Sequence, residues 1–456
     1  MKSVFNKVIL AFLTFLFTVI LSFIPGQART VPPQVSSPIL TAQTQFSEIQ
    51  KTTSQNLRPA DLVFQKEKDW KKDYESYFGG IFANKVLKAD AIVSKLKQIA
   101  SQTGKRPAVI YMVPTPKQLE LVLVTPGADP IRKSISGASR DILILLVKQF
   151  RTEVSDTRGV DTTSYLASGQ QLYRWLIAPL ENNLKQQNID TLLFCVGPGL
   201  RSLPFAALHD GQQFLIEKYS ISLIPGFSLT DTRYTDIKKA PVLAMGASEF
   251  KKLNPLPAVP IELSTIVQNQ GGRIFLNNRF TVDNLQVQQR QEHYHIIHLA
   301  THAEFQPGVA SNSFIQFWNA ALSLNQLRKL RLNEPSVNLL VLSACKTALG
   351  DKQAELGFAG LAVEAGVKTA LGSLWLVSDT GTLGLMTEFY KYLRTAPTKA
   401  EALRQAQIAL LKGQVQLGVR QLRRSRQWTG ERTDRVNMPL SHPYYWSAFT
   451  MIGSPW

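Results

Sequence analysis

The sequence is poor in cysteine, with Cys195 and Cys345 as its two thiols among 456 residues. Two thiols cannot build the disulfide framework of a small secreted domain, and a chain of this length does not need one. Cys195 lies within the apolar run 192–196, where a small buried residue is the ordinary interpretation. Cys345 has polar neighbours after an apolar run, so it is the thiol to consider for chemistry.

The sequence also lacks the motifs of several functional classes. No further Cys, His or Asp cluster joins His298 and His302 into a zinc-binding set, so we expect neither a metal nor another cofactor. The formal net charge of +18 comes without stacking aromatics or a groove-reading motif, so a solvated basic surface is favoured and no nucleic acid partner is expected. An acidic partner such as anionic lipid remains the alternative. No short-period repeat is visible.

The N-terminus has the pattern of an export signal. Two lysines precede an apolar run at 8–24, and a Pro-Gly pair and small residues follow it. We therefore predict a signal peptide at 1–28 and a periplasmic or extracellular protein. An uncleaved N-terminus that associates with the membrane is the alternative, although the run is short for a full span. Residues 29–58, rich in Pro, Ser, Thr and Gln, are predicted to be a flexible leader.

The remainder alternates between apolar runs and helical patterns. An N-terminal helical segment at 59–105 precedes two blocks at about 106–236 and 240–456, in each of which strand patterns alternate with helix patterns. Such alternation predicts an α/β fold with a mainly parallel sheet and helices on both faces. Most of the strand patterns are nearly continuous apolar runs, as a sheet buried on both faces requires.

Two predicted strand ends carry residues suited to nucleophilic catalysis. His302 follows the strand that ends near 299, and Cys345 follows the strand that ends near 342. Ligands of open α/β sheets bind at the carboxyl ends of the strands, so these two side chains can face one crevice. A thiol beside an imidazole can attack an amide, and the imidazole can protonate the leaving amine. We assign the oxyanion donors to the backbone N–H groups of Ala303 and Cys345.

The same residues also have structural interpretations. A lone cysteine after an apolar strand is more often a core residue than a nucleophile. The four-residue spacing of His298 and His302 could suggest a metal site. Their segment, however, has the pattern of a strand followed by a loop, so the two rings need not share a face. His298 is therefore predicted to be a hydrogen-bonded strand residue.

Six ordered motifs occur across about residues 106–456. They are LYRWLIAPLE at 172–181, GLRSLPFAAL at 199–208, HLATH at 298–302, LSACKTALG at 342–350, GSLW at 372–375 and HPYYWSAF at 442–449. Together these motifs resemble the CHAT domain family, a caspase-like family related to separases and caspases and often joined to tetratricopeptide repeats. The resemblance implies a caspase-like fold with a pseudo-caspase half before the catalytic half. It also implies that His302 is the general base and Cys345 the nucleophile, at a separation close to the roughly 50 residues found in caspases.

The resemblance also implies that the loop after the predicted strand 369–376 lines the substrate pocket. Asp379, Ser378 and Trp375 lie there, and Asp351 lies in the loop after the nucleophile. A carboxylate in that pocket would favour Arg or Lys before the cut. As an alternative role that can coexist with this one, Asp379 caps the helix that follows.

The function expected from these features is that of a cysteine endopeptidase acting on protein or peptide substrates through a Cys-His dyad. The alternatives are a catalytically silent caspase-like interaction module and a transfer of the acyl group to an amine instead of water. The basic stretch 420–426 is predicted to be a solvated linker and, if the enzyme prefers basic residues, a self-processing site. No feature of the sequence indicates an oligomeric state.

Overall fold

The computed structural model describes residues 57–82, 85–159, 162–343, 351–415 and 440–456, together with the backbone of residues 345–347. The strands of this part are β1 (Pro107–Pro114), β2 (Leu119–Thr125), β3 (Ala128–Ile135), β4 (Thr191–Val196), β5 (Ser220–Ile224), β6 (Val242–Gly246), β7 (Gly272–Leu276), β8 (Ile296–Ala300), β9 (Ala303–Phe305), β10 (Phe314–Gln316), β11 (Ala321–Ser323), β12 (Leu339–Leu342), β13 (Cys345–Thr347), β14 (Thr369–Ser373) and β15 (Phe449–Gly453).

The α-helices of the same residues frame these strands. They are α1 (Pro59–Phe78), α2 (Ala89–Thr103), α3 (Arg140–Ser155), α4 (Tyr165–Leu176), α5 (Glu181–Gln186), α6 (Leu215–Lys218), α7 (Val259–Gln270), α8 (Val282–Glu292), α9 (Lys352–Ala359), α10 (Leu361–Ala365), α11 (Asp379–Leu393), α12 (Lys399–Leu411) and α13 (Pro443–Trp446).

Eleven strands form one mainly parallel sheet in the order β3-β2-β1-β4-β5-β15-β14-β12-β8-β6-β7. Every residue of β4, β8 and β12 is buried, so both faces of the sheet are covered, as their continuous apolar sequences require. This confirms the predicted α/β fold class.

Strand β15 joins the two βα blocks in the middle of this sheet. It pairs antiparallel with β14 and parallel with β5. The parallel strands of the second block therefore run opposite to β5, β4 and β1 of the first block. The last strand of the chain thus completes the sheet of both blocks, and residues 57–456 form one compact unit. The division near residue 240 stays a prediction.

A second, smaller sheet has the order β11-β10-β9-β13. The sequence pattern at 300–308 indicates a loop and does not reveal this sheet, because strands of three residues are too short to show a period. Strand β13 pairs parallel with β9, opposite Ala303. The small sheet therefore places the segment that contains Cys345 beside the segment that follows His302.

Two elements differ from the sequence pattern, and a third confirms a kink that the pattern predicts. Strand β3 is missed, because its polar sequence suits a half-exposed edge of the sheet. The helical pattern at 164–184 contains Pro179, which predicts a kink, and the structure has a 3-10 turn there, Ala178–Leu180, between α4 and α5. The pattern at about 358–365 predicts one helix, whereas the structure has two, α9 and α10, which meet at Gly360, where a Cβ would lie 2.4 Å from the ring of Phe78.

Some predictions lie outside the described residues. These are the signal peptide at 1–28, all but the last two residues of the leader at 29–58, and the basic stretch 420–426. Over the part of the chain that the structure describes, no helix is both long enough and apolar enough to span a bilayer.

Because β15 completes the sheet of both blocks, its core residues should stabilise both. Ile452 is fully buried and pairs with Ala370 of β14 and Leu223 of β5. We expect Ile452→Ala to lower the free energy of unfolding by about 2–5 kcal/mol through the cavity it leaves. Hydrogen exchange should accelerate in β4 and β12 alike.

The control is Val287→Ala on α8, where the side chain is 44% exposed and the expected loss is below about 0.5 kcal/mol. Faster exchange in one block alone would show that the two blocks are stabilised independently.

Candidate active site

Four loops meet at one edge of the large sheet. Strands β6, β8, β12 and β14 are parallel neighbours, so their carboxyl ends lie together. His302 follows β8, and Cys345 follows β12. The loop after β6 contains Asn254, and the loop after β14 leads to Asp379. The structure thus brings the predicted catalytic positions to the edge at which ligands of such sheets bind.

The imidazole of His302 is half-buried and held by the loop after β6. Its Nε2 lies 2.8 Å from the backbone oxygen of Asn254, and its ring makes an edge contact with Phe250 at a centroid distance of 4.7 Å. A carbonyl oxygen can only accept, so Nε2 carries the hydrogen of this bond. In the neutral ring Nδ1 is then the basic nitrogen, which is the state a general base needs.

The backbone of Cys345 lies beside the residue that follows His302. In the parallel pair of β13 and β9, Cys345 is the register partner of Ala303, and neighbouring strands lie about 4.8 Å apart. Two positions far apart in sequence are therefore adjacent in space. The fold achieves this because β8 and β12 are themselves paired in register immediately before the small sheet.

Ala303 has extended backbone, as the first residue of β9. The N–H of Gln316 donates to the backbone oxygen of His302, which makes these two residues a hydrogen-bonded antiparallel pair. The next pair, Ala303 with Ile315, is then a non-hydrogen-bonded pair. The N–H of Ala303 consequently makes no ladder bond to β10.

His298 is a buried strand histidine with partners at both ring nitrogens, as the sequence analysis expects. Its Nε2 lies 3.0 Å from Oε1 of Glu262 on α7, and its Nδ1 lies 3.1 Å from the hydroxyl of Tyr390 on α11. Burial holds the pKa of Tyr390 well above its ordinary value, so the phenol stays protonated. No group of three metal-ligating side chains occurs among the residues that the structure describes.

A cleft with two carboxylates lies beside this edge. Its lining includes Asp379, Glu262, Ser343, Leu256 and Val377. Sequence reasoning proposes Asp379 but misses Glu262, which lies on α7 between the apolar neighbours Ile261 and Leu263 and is 3% exposed. A charged residue within an apolar helix pattern is the signal that could have identified it.

The interpretation that Asp379 caps its helix is wrong. Ser378 is the N-cap of α11, and its hydroxyl accepts the N–H of Gly381 at 3.2 Å. Asp379 is the first residue of the helix, where the helix dipole favours a negative charge. Serine takes the cap because it is the extended residue before the helix, and Asp379 is left to line the cleft.

Trp375 has a structural role in the loop after β14. It is buried, and its Nε1 donates to the backbone oxygen of Tyr444 at 3.1 Å. The hydroxyl of Tyr444 in turn donates to the backbone oxygen of Leu376 at 3.1 Å. These two bonds fix the loop that leads to Asp379. They tie it to α13 in the segment just before β15.

Asp351 is the N-cap of α9, the helix that follows the nucleophile loop. Its Oδ1 accepts the N–H groups of Gln353 and Ala354 at 3.0 and 2.8 Å. Among the described residues, those that line the cleft of Asp379 do not include Asp351. Asp351 thus acts as a helix cap, while Asp379 lines the cleft.

If Asp351 stabilises the helix through its capping hydrogen bonds, asparagine at this position should stabilise it equally well. We expect Asp351→Asn to keep the free energy of unfolding nearly unchanged, because asparagine caps helices about as well as aspartate, and Asp351→Ala to lower it by about 1 kcal/mol. Urea denaturation of the two variants measures both values. Equal losses in both variants would mean that the charge of Asp351 matters and not its capping bonds.

The chain resembles one protein family in sequence and several solved structures in its fold. A family model described as the CHAT domain matches residues 166–454. Two crystal structures of the Saccharomyces cerevisiae separase–securin complex are similar in structure, with sequence identities of 9% and 10% and TM-scores of 0.48 and 0.47. Each match covers 86% of this chain and 33% of the other, so the chain spans about a third of the length of those chains. No curated protein matches it in sequence.

Proposed function

The chain belongs to the CHAT domain family, and on that basis we propose that it is a cysteine endopeptidase that hydrolyses peptide bonds through His302 and Cys345. The observation that carries the proposal is the register of β13 with β9. It places the backbone of Cys345 beside Ala303, the residue that directly follows His302. The bond from Nε2 of His302 to Asn254 supports it, since it leaves Nδ1 as the base.

The proposed reaction has two steps, acylation of the Cys345 thiol and hydrolysis of the resulting thioester. Nδ1 of His302 takes the proton of the Cys345 thiol, and the thiolate attacks the carbonyl carbon of the substrate. The backbone N–H groups of Ala303 and Cys345 stabilise the oxyanion of the tetrahedral intermediate. The imidazolium then protonates the leaving amine, and water hydrolyses the thioester with His302 again as base.

We also propose that the cleft next to the dyad selects a basic residue before the cut. Asp379 and Glu262 both line the cleft, while Ser343, two residues before Cys345, belongs to the same lining. A buried or half-buried carboxylate favours a guanidinium or ammonium group by a charge-assisted hydrogen bond. Leu256 and Val377 provide apolar surface for the methylene stem of such a side chain.

The place of action that we propose is outside the cytoplasm. The support for it is the basic, apolar and small-residue pattern of residues 1–28. The protein substrates would then be those that the enzyme meets after export.

The dyad is tested with the mature chain on a peptide library. Cys345→Ala and His302→Ala should each lower kcat/KM by at least about 10³-fold, because the nucleophile and its base act as a unit. Cys195→Ala is the matched control, since this thiol is fully buried in β4 and burial raises its pKa well above the ordinary value. It should retain the activity of the wild type.

Cleavage that persists in Cys345→Ala would contradict the proposed nucleophile. A wild-type chain that neither cleaves nor reacts with a thiol-directed probe would favour the interaction module instead.

The proposed preference of the cleft for a basic residue is tested by removing the negative charge of Asp379. Asp379→Asn should lower kcat/KM for substrates with Arg or Lys before the cut by about 10- to 100-fold, the value of one hydrogen bond between charged groups. Asp141→Asn is the control, because Asp141 also lies in the first turn of a helix but is exposed, on α3. Equal losses for basic and apolar peptides would show that Asp379 does not select the charge.

A further inference from the structure

Buried polar residues connect the first βα block to helix α9 and to the loop after β14. We call Arg151, Glu355, Gly199 and Ser202 the seam cluster. Arg151 lies on α3 of the first block, and Glu355 lies on α9 of the second. Each of these two charged residues is 1% exposed. Burying a charge costs free energy unless the group is hydrogen-bonded, so the partners of these two side chains show what their burial achieves.

Glu355 ties helix α9 to the loop after β4. Its Oε2 accepts the N–H of Gly199 at 2.9 Å, and its Oε1 accepts the hydroxyl of Ser202 at 2.7 Å. Helix α9 begins at Lys352, directly after the loop that follows Cys345. Glu355 lies one turn beyond the cap, Asp351, so its two bonds fix the helix at which the nucleophile loop ends.

Arg151 ties helix α3 to the loop after β14. Its Nη2 donates to the backbone oxygen of Leu374, the residue directly after that strand, at 2.7 Å. Burial lowers the pKa of Arg151 to about 10, and the negative charge of Glu355 opposes this shift. The guanidinium is therefore charged at neutral pH, and the two buried charges of the cluster act on one another.

Stability alone does not account for such a cluster. Burying two charges of opposite sign costs several kcal/mol of desolvation, and well-packed apolar residues of similar volume are often as stabilising. What apolar residues cannot supply is a set of directed bonds to main-chain atoms. The bond between Glu355 and the N–H of Gly199 fixes α9. The bond between Arg151 and the backbone oxygen of Leu374 fixes the loop that leads to Asp379.

We propose that Glu355 and Arg151 are positioning residues, by which the first βα block sets the nucleophile loop and the substrate loop of the second. The inference rests on the proposed peptidase function. Glu355 acts on the nucleophile through α9, and Arg151 acts on the cleft through Leu374. The two residues therefore have different kinetic signatures.

The test compares Glu355→Gln and Arg151→Met with the wild type on a peptide that has Arg before the cut. Glu355→Gln should lower kcat and the rate of alkylation of Cys345 by iodoacetamide by at least about tenfold, with KM changed less than about twofold. Arg151→Met should raise KM by at least about fivefold and change the alkylation rate by less than about twofold.

Val147→Ala controls for a general loss of stability. Val147 is a buried apolar residue of α3, one turn before Arg151, and it has no polar side-chain atom. This variant should unfold more easily and keep both kinetic constants at temperatures where it is folded. If all three variants lose activity in proportion to the unfolded fraction, the positioning role is contradicted.

A second measurement separates this inference from the proposed function. Hydrogen exchange is compared in the Cys345→Ala background, where no catalysis is needed. Glu355→Gln should accelerate exchange in α9, and Arg151→Met should accelerate it at 374–378, each by at least about fivefold. Unchanged exchange would overturn the positioning role even in an active enzyme. An inactive wild type with the expected exchange would overturn the peptidase function alone.

Discussion

The arrangement of the molecule depends on the pairing of β15 with β14 on one side and with β5 on the other. The first pair is antiparallel and the second is parallel, so the two βα blocks share a sheet but run in opposite directions. The carboxyl ends of β1, β4 and β5 therefore lie at the edge opposite to the candidate active site. Helix α3 begins near the carboxyl end of β1, where the N–H of Arg140 donates to the backbone oxygen of Thr115. It ends toward the catalytic edge, which is why Arg151 can contact Leu374.

The candidate site results from two successive parallel pairings. Strands β8 and β12 are in register, and β9 and β13 continue the same two chain segments into the small sheet. His302 lies between β8 and β9 and is oriented by Asn254 from the loop after β6. The backbone thus determines which residues lie near each other, and the side chains of the neighbouring loops determine the tautomer of the imidazole and the charge of the cleft.

The sequence predicts the elements that bury continuous apolar runs, and with them the location of His302 and Cys345 at neighbouring strand ends. It does not predict elements whose stability comes from tertiary contacts. The strands β9 and β13 are too short for a period, and β3 is a polar edge strand. Arg151 and Glu355 resemble the solvated charges of ordinary helices in sequence. Only the packing of distant segments buries them. The interpretation of Asp379 as a cap fails because Ser378, one residue earlier, has the extended backbone that a cap requires.

The central claim is that Cys345 is a nucleophile served by His302. The most direct measurement is the location of a covalent adduct, by tandem mass spectrometry, after reaction with a peptidyl electrophile that ends in arginine. We expect one adduct on Cys345, none on the buried Cys195, and none in His302→Ala over the same time. An adduct on Cys195, or unimpaired reaction of Cys345 in His302→Ala, would contradict it.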